Sequence, residues 1–206
     1  ASALISAGAA LVETDLKRLI AYSTVSQIGF IFLGLSIGNG IGITGGLLYI
    51  LMHGIAKGGL FLCAGIVEQN AGTKDITKMG GLIAVMPVTA AAFLLCAFSV
   101  MGIPPFGGFF SKYMVIAGAL TSGQMVVSAV FLIGAVLTII YLFRVFTLVF
   151  LGDPGPSLKA GIREGSPVMV ASVAILAVLA LTSGLLVQFP AGFVEPLVQQ
   201  MMGVLP

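Results

Sequence analysis

Six apolar stretches, most of them about as long as a bilayer is thick, limit what this chain can become before any motif is considered. They run roughly over residues 19–38, 41–67, 82–102, 104–120, 125–151 and 167–189, behind a shorter apolar run at 1–12. A ~30 Å hydrocarbon core takes about 20 residues of helix at ~1.5 Å each, so most of the runs can cross it, while 104–120 is short. They lack the period-two alternation of a membrane barrel. The expectation is an all-α integral membrane protein, whose helices satisfy their own backbone polar groups in lipid. Charge density agrees: 8% of residues are charged, against about 25% in an ordinary soluble domain. The mean hydropathy is +1.18.

Several function classes drop out. A net charge of +2, with its basic residues scattered, offers no stripe for a nucleic acid. Cys63 and Cys96 are far apart in apolar segments, which suits small buried hydrophobes better than a disulfide or a metal site. Many of the 28 glycines lie inside the apolar runs, as close helix packing in lipid favours. With no tryptophan, interfacial anchoring is expected from Tyr22, Tyr113 and Tyr141. Residues 1–206 read as a single membrane domain. The run before Glu13 is too short to span, and is expected to be the tail of a helix in a piece of a longer protein.

Orientation follows from the loops. Residues 13–18, 68–81 and 152–166 carry Lys17, Arg18, Lys74, Lys78, Lys159 and Arg163, whereas Asn39-Gly40 and the segment 121–124 carry no basic residue. If the segment SVMGIPPFGGFF at 99–110 interrupts one crossing, all three basic loops fall on one side; if it is a full turn, the third falls opposite. The excess of positive charge in cytoplasmic loops favours a single span over about 82–120, broken at Pro104-Pro105, with loops 13–18, 68–81 and 152–166 cytoplasmic. Such breaks are tolerated where protein or a watery cavity satisfies the freed backbone, and they tend to mark transport sites.

The residues that could carry chemistry lie inside the spans. Lys57 is more than ten residues from either loop, too deep to snorkel. Burying an unpaired ammonium is expensive, so it is expected to face the bundle interior as a group that takes up and releases a proton. The alternative is an ion pair with a carboxylate on another helix or subunit. His53 and Tyr49 stand one and two helical turns earlier on the same face, placing two exchangeable groups about 6 Å apart along the axis. His53 could instead be a packed histidine donating to a carbonyl. Lys112, beside Ser111 and just after the double proline, is a third candidate, with snorkelling from a short half-helix as its alternative. Arg144 reads as an anchor near the third basic loop, snorkelling or pairing with Asp153. The amphipathic tail from Pro190 to Pro206, with Glu195, is expected at the far interface. All seven carboxylates sit in loops, at helix ends or in the tail, so a relay of lysine and histidine suits protons better than sodium. No phosphate loop, nucleophile triad, metal cluster, haem or flavin motif is visible, and no cofactor is expected in this chain.

The segments TDLKRLIAYSTVSQIGF, MHGIAKGGLFL, GTKDITKMGGL and GIPPFGGFFSK resemble, in order, the second half of the antiporter-like proton-channel subunits. These occur in respiratory complex I, group 4 membrane-bound hydrogenases and Mrp-type sodium/proton antiporters. The resemblance implies the second half of a fourteen-helix fold with inverted repeats, here about six transmembrane helices, one partial and one broken. It places Lys57 at the lysine of the family's central hydrophilic axis, His53 a turn before it, and Lys112 at a broken-helix position held by lysine or glutamate. Tyr49 stands where some members have a further histidine. The first repeat has no counterpart here, so the chain is either a piece of a longer protein or a shortened relative. The function implied is proton translocation within a redox-driven pump of the NADH:quinone oxidoreductase or membrane-bound hydrogenase type. Its partners would be related membrane subunits, peripheral redox subunits and lipid, with the redox chemistry outside this chain. An Mrp-type antiporter subunit is the alternative, and a non-conducting structural subunit a second.

Overall fold

The structure, a computed structural model, describes residues 1–153, 155 and 161–203; Lys159 of the third basic loop and the last three residues of the tail lie outside them. Among the described residues eight α-helices follow one another: α1 Ser2–Val12, α2 Leu16–Ser36, α3 Gly40–Ala71, α4 Pro87–Met101, α5 Gly107–Thr121, α6 Met125–Phe150, α7 Pro167–Leu185 and α8 Gln188–Met201. The only strand-like pairing among the described residues is a single antiparallel bridge between Asp15 and Asp75. The fold is therefore all-α. The sequence sets the helix ends: Asp15 and Asn39 accept backbone N–H groups at the starts of α2 and α3, Gly72 ends α3 in the left-handed region, and Pro87 and Pro167 open α4 and α7.

Four helices, α2, α3, α6 and α7, are long and apolar enough to cross a membrane. The fifth crossing is made by α4 and α5 together, 15 residues each and about 22 Å long apiece. The start of α4 is bound to Glu164 beside the basic loops. The end of α5 is bound to Asn39 at the opposite end of the bundle. The segment 102–106 is thus an interruption within one crossing, not a turn between two. With the short α1, this makes six membrane segments.

The described parts of the three basic loops gather at one end. Leu16 N–H donates to Lys74 O, Ile76 N–H to Thr14 O and Gly81 N–H to Leu151 O, each at 2.9 Å. Ion pairs join Lys17 to Glu68, Arg18 to Glu13 and Lys74 to Asp15. Arg144 differs from expectation in its partner: its guanidinium donates to Glu13 O at 3.0 Å, because α6 runs beside α1 and brings that carbonyl within reach. At the other end Asn39 and Gln124 tie the α2–α3 and α5–α6 connections together, and Val198 of α8 packs near Gly40.

Helix α3 is the axis, packed against α2, α4, α5, α7 and α8. Tyr141 is a correction. Read as an interfacial anchor, it is fully buried, because its hydroxyl finds Thr138 and Gln27 inside the bundle.

Candidate functional site

Lys57 and Lys112 are 4% and 5% exposed and His53 is 9% exposed, so all three point into the bundle. Among the described residues no carboxylate lies within 4.0 Å of either lysine; the ion pairs found are all at the basic end.

The two ammonium groups are held by neutral oxygens. Lys57 Nζ donates to Ser23 Oγ and, at 3.3 Å, to Ile20 O, both on α2; Ser23 itself donates to Ile20 O at 2.9 Å. Lys112 Nζ donates to Val100 O at 2.6 Å and Met101 O at 3.3 Å. These are among the last carbonyls of α4, left free because the helix stops there, and they carry the negative end of its dipole. Gly102 makes the stop possible. Its φ of +82° suits glycine, and a Cβ there would stand 2.8 Å from Lys112 Cδ, so the lysine stem passes where a side chain would otherwise be. The break itself is sealed by protein: Gly107 meets Met52 of α3 and Ser183 of α7, and Gly184 of α7 lies against the 105–107 backbone. Pro104 and Pro105 are exposed on its outer side.

Between the lysines stand His53 and Tyr49. Their rings meet edge-on at 6.3 Å, and Lys112 Nζ lies 5.8 Å from the centre of the Tyr49 ring, within cation–π range. His53 Nδ1 has no hydrogen-bond partner among the described residues. The hydroxyl of Tyr49 donates to Gln27 Oε1, while Gln27 Nε2 donates to Thr138 Oγ1 at 3.0 Å. Ser111, singled out beside Lys112, donates to the carbonyls of Gly107 and Gly108 on its own helix instead.

Ser23, Gln27, Thr138 and the α4 carbonyls are the residues that sequence reasoning missed. A signal existed for the first two: YSTVSQ at 22–27 interrupts an apolar run, with Ser23 and Gln27 one turn apart on one face. The proline break pointed to freed backbone groups near Lys112, but not to which carbonyls would take its ammonium.

Arranged along the bundle are Lys57, His53, Tyr49 and Lys112, and among the described residues neither lysine has a carboxylate within 4.0 Å. Residues four apart on α3 are separated by ~6 Å along its axis, more than the ~3 Å of a direct proton transfer, so a proton passing between them would need bridging water. Among the described residues no group of three or more His, Cys, Asp or Glu side chains converges.

A family model described as "NADH:quinone oxidoreductase/Mrp antiporter, TM" matches residues 1–138. NADH-quinone oxidoreductase subunit N of Desulforudis audaxviator is 41% identical over 152 residues, 73% of this chain and 30% of the relative. The F(420)H(2) dehydrogenase subunit L of Methanosarcina mazei is 36% identical over 207 residues, 94% of this chain and 30% of the relative. Among solved structures, the Mrp complex of a Dietzia species contains a chain that superposes with a TM-score of 0.87 at 29% identity, covering 96% of this chain and 45% of that one. The chain thus spans under a third of the curated relatives it matches.

Proposed function

The chain belongs to the membrane-subunit family shared by NADH:quinone oxidoreductases and Mrp antiporters, and from that membership we propose that it translocates protons within a redox-driven, complex-I-like pump. The observation that carries this reading is the pair of buried lysines, Lys57 and Lys112, held by neutral oxygens on either side of His53 and Tyr49. A permanent ion pair would hold its proton tightly, whereas an ammonium on a hydroxyl and carbonyls can release one.

In this mechanism Lys57 takes a proton while bonded to Ser23, passes it through water toward His53, and Lys112 receives it at the end of α4. A charge moving in a neighbouring subunit changes the proton affinity of the coupled lysines and drives the cycle. The partners are related membrane subunits and peripheral redox subunits. The electron carriers belong to those subunits, and this chain contributes no cofactor ligand. The basic loops 13–18, 68–81 and 152–166 face the cytoplasm.

The likeness to an Mrp complex supports a second reading, an antiporter subunit without a redox partner. Proteoliposomes holding the whole complex separate the two. Under the first reading an electron donor drives proton uptake that Lys57→Ala and Lys112→Ala each abolish. Sodium efflux driven by a pH gradient, with no donor, favours the second. Uptake unaffected by either substitution overturns both and leaves a structural subunit.

A further inference from the structure

We propose that Glu164 is a positioning residue for Lys112, acting through the half-helix α4 that lies between them. The proposal rests on Lys112 being a proton carrier, as above.

Helix α4 starts without a cap of its own. Met86 precedes it and supplies no side-chain acceptor, and Pro87 is its first residue. The freed N–H groups are taken instead by a carboxylate about 75 residues away in sequence: Glu164 Oε1 accepts from Val88 N at 2.7 Å and Thr89 N at 3.2 Å, and Glu164 Oε2 from Thr89 Oγ1 at 2.7 Å. At the other end Lys112 Nζ takes the carbonyls of Val100 and Met101. A negative group therefore sits on the positive end of the α4 dipole and a positive group on the negative end, each supplied from outside the helix.

Between these ends α4 is held by packing: its buried residues include Ala90, Phe93, Cys96 and Ala97, Phe93 lies against Phe146 and Phe150 of α6, and Gly59 of α3 packs closely against Cys96. Among the described residues, the side-chain hydrogen bonds joining α4 to other elements lie at Val88 and Thr89 or at Val100 and Met101. Because the crossing is broken at 102–106, continuous backbone hydrogen bonding from α5 does not fix where α4 sits along its axis. The hydrogen bonds at its ends add to that packing, and those at the loop face come from Glu164. A rigid 15-residue helix then transmits that position to the carbonyls that hold Lys112.

The test is hydrogen exchange and proton uptake on the intact complex, comparing wild type with Glu164→Ala, Glu164→Gln, Ser166→Ala and Lys112→Ala. Ser166 caps α7 from the same loop, and among the described residues its side chain makes no hydrogen bond to α4. Loss of the Glu164 cap is expected to raise exchange about fivefold at the start of α4 and also at residues 100–106, more than ten residues away, and to lower proton uptake by a similar factor. Glu164→Gln keeps an acceptor oxygen and is expected to restore most of both; Ser166→Ala changes neither. The proposal is overturned if exchange rises only at the start of α4, if uptake is unchanged in Glu164→Ala, if Gln restores nothing, or if Ser166→Ala does the same. If Lys112→Ala leaves uptake at the wild-type rate, the functional reading fails separately, whatever the exchange at the break.

Discussion

Replacing Ser23 by alanine removes one oxygen from the site, and the structure sets how much that is worth. Ser23 Oγ accepts from Lys57 Nζ and donates to Ile20 O, so the hydroxyl passes part of the ammonium's charge to a helix carbonyl. Without it Lys57 keeps Ile20 O at 3.3 Å in surroundings almost closed to water. A hydrogen bond to a charged group contributes about 1.5–3 kcal/mol, and the surviving carbonyl argues for the lower figure. About 1.5 kcal/mol is roughly a factor of ten in the equilibrium by which Lys57 binds a proton, so uptake carried by that lysine is expected to fall by up to about tenfold. Packing changes little, because serine and alanine differ by a single atom, so assembly should be normal. The assay is donor-driven proton uptake by proteoliposomes, normalised to the amount of assembled complex. Ser23→Thr keeps the hydroxyl and is expected to stay within about threefold of wild type. Wild-type uptake in Ser23→Ala, or equal loss in both variants, would refute the reasoning.

Three further outcomes follow from the same geometry. Tyr49→Phe leaves Gln27 Oε1 without its donor and should cost about 1–3 kcal/mol of stability, yet it retains the ring near Lys112 and should pump within about twofold of wild type; Tyr49→Leu should lose both, as thermal melts and uptake assays would show. A Cβ at Gly118 would lie 2.6 Å from Gly42 N, while one at Gly54 meets nothing within 4 Å. Gly118→Ala should therefore destabilise the bundle by about 1–3 kcal/mol and Gly54→Ala should be harmless, a contrast readable in melting temperatures. The Asp75 carboxylate is held below its ordinary value of 3.8 by Thr77, through its hydroxyl and then its N–H, and by Lys78. A carboxylate with a lowered folded pKa stabilises fully above the unfolded value and loses that effect as pH falls through the folded one. Exchange at the Ile76 amide, bonded to Thr14 O, should accordingly gain an extra acid-dependent component below about pH 4, absent in Asp75→Asn.

Much of this bundle was legible because lipid is a strict solvent. The apolar runs specify helices, and the charge of the loops chose the broken crossing at Pro104-Pro105 over a turn, which the structure bears out by placing the two ends of α4 and α5 at opposite ends of the bundle. The cations of the site were legible for the same reason: a lysine at mid-span is conspicuous wherever it points. Their partners were not. Ser23 and the carbonyls of Val100 and Met101 are ordinary residues whose role depends on which helix faces which, and that is a tertiary fact. The hydroxyl of Ser111, beside Lys112 in sequence, bonds to the carbonyls three and four residues back on its own helix, as serine in a helix readily does. Tyr141 misled because tyrosine at a span is commonly interfacial, while here its hydroxyl finds Thr138 on its own helix and Gln27 of α2 inside the bundle.

The central claim is that Lys57 carries protons, and Lys57→Met tests it most directly. Methionine fills much of the same space without a charge, so the bundle should assemble as well as wild type or better, the desolvation cost having been removed. The measurement is donor-driven proton uptake by proteoliposomes of the intact complex, with electron transfer followed in parallel. The account predicts assembled complex whose proton uptake through this subunit is lost. Uptake at the wild-type stoichiometry in Lys57→Met would contradict it and make the lysine a structural residue.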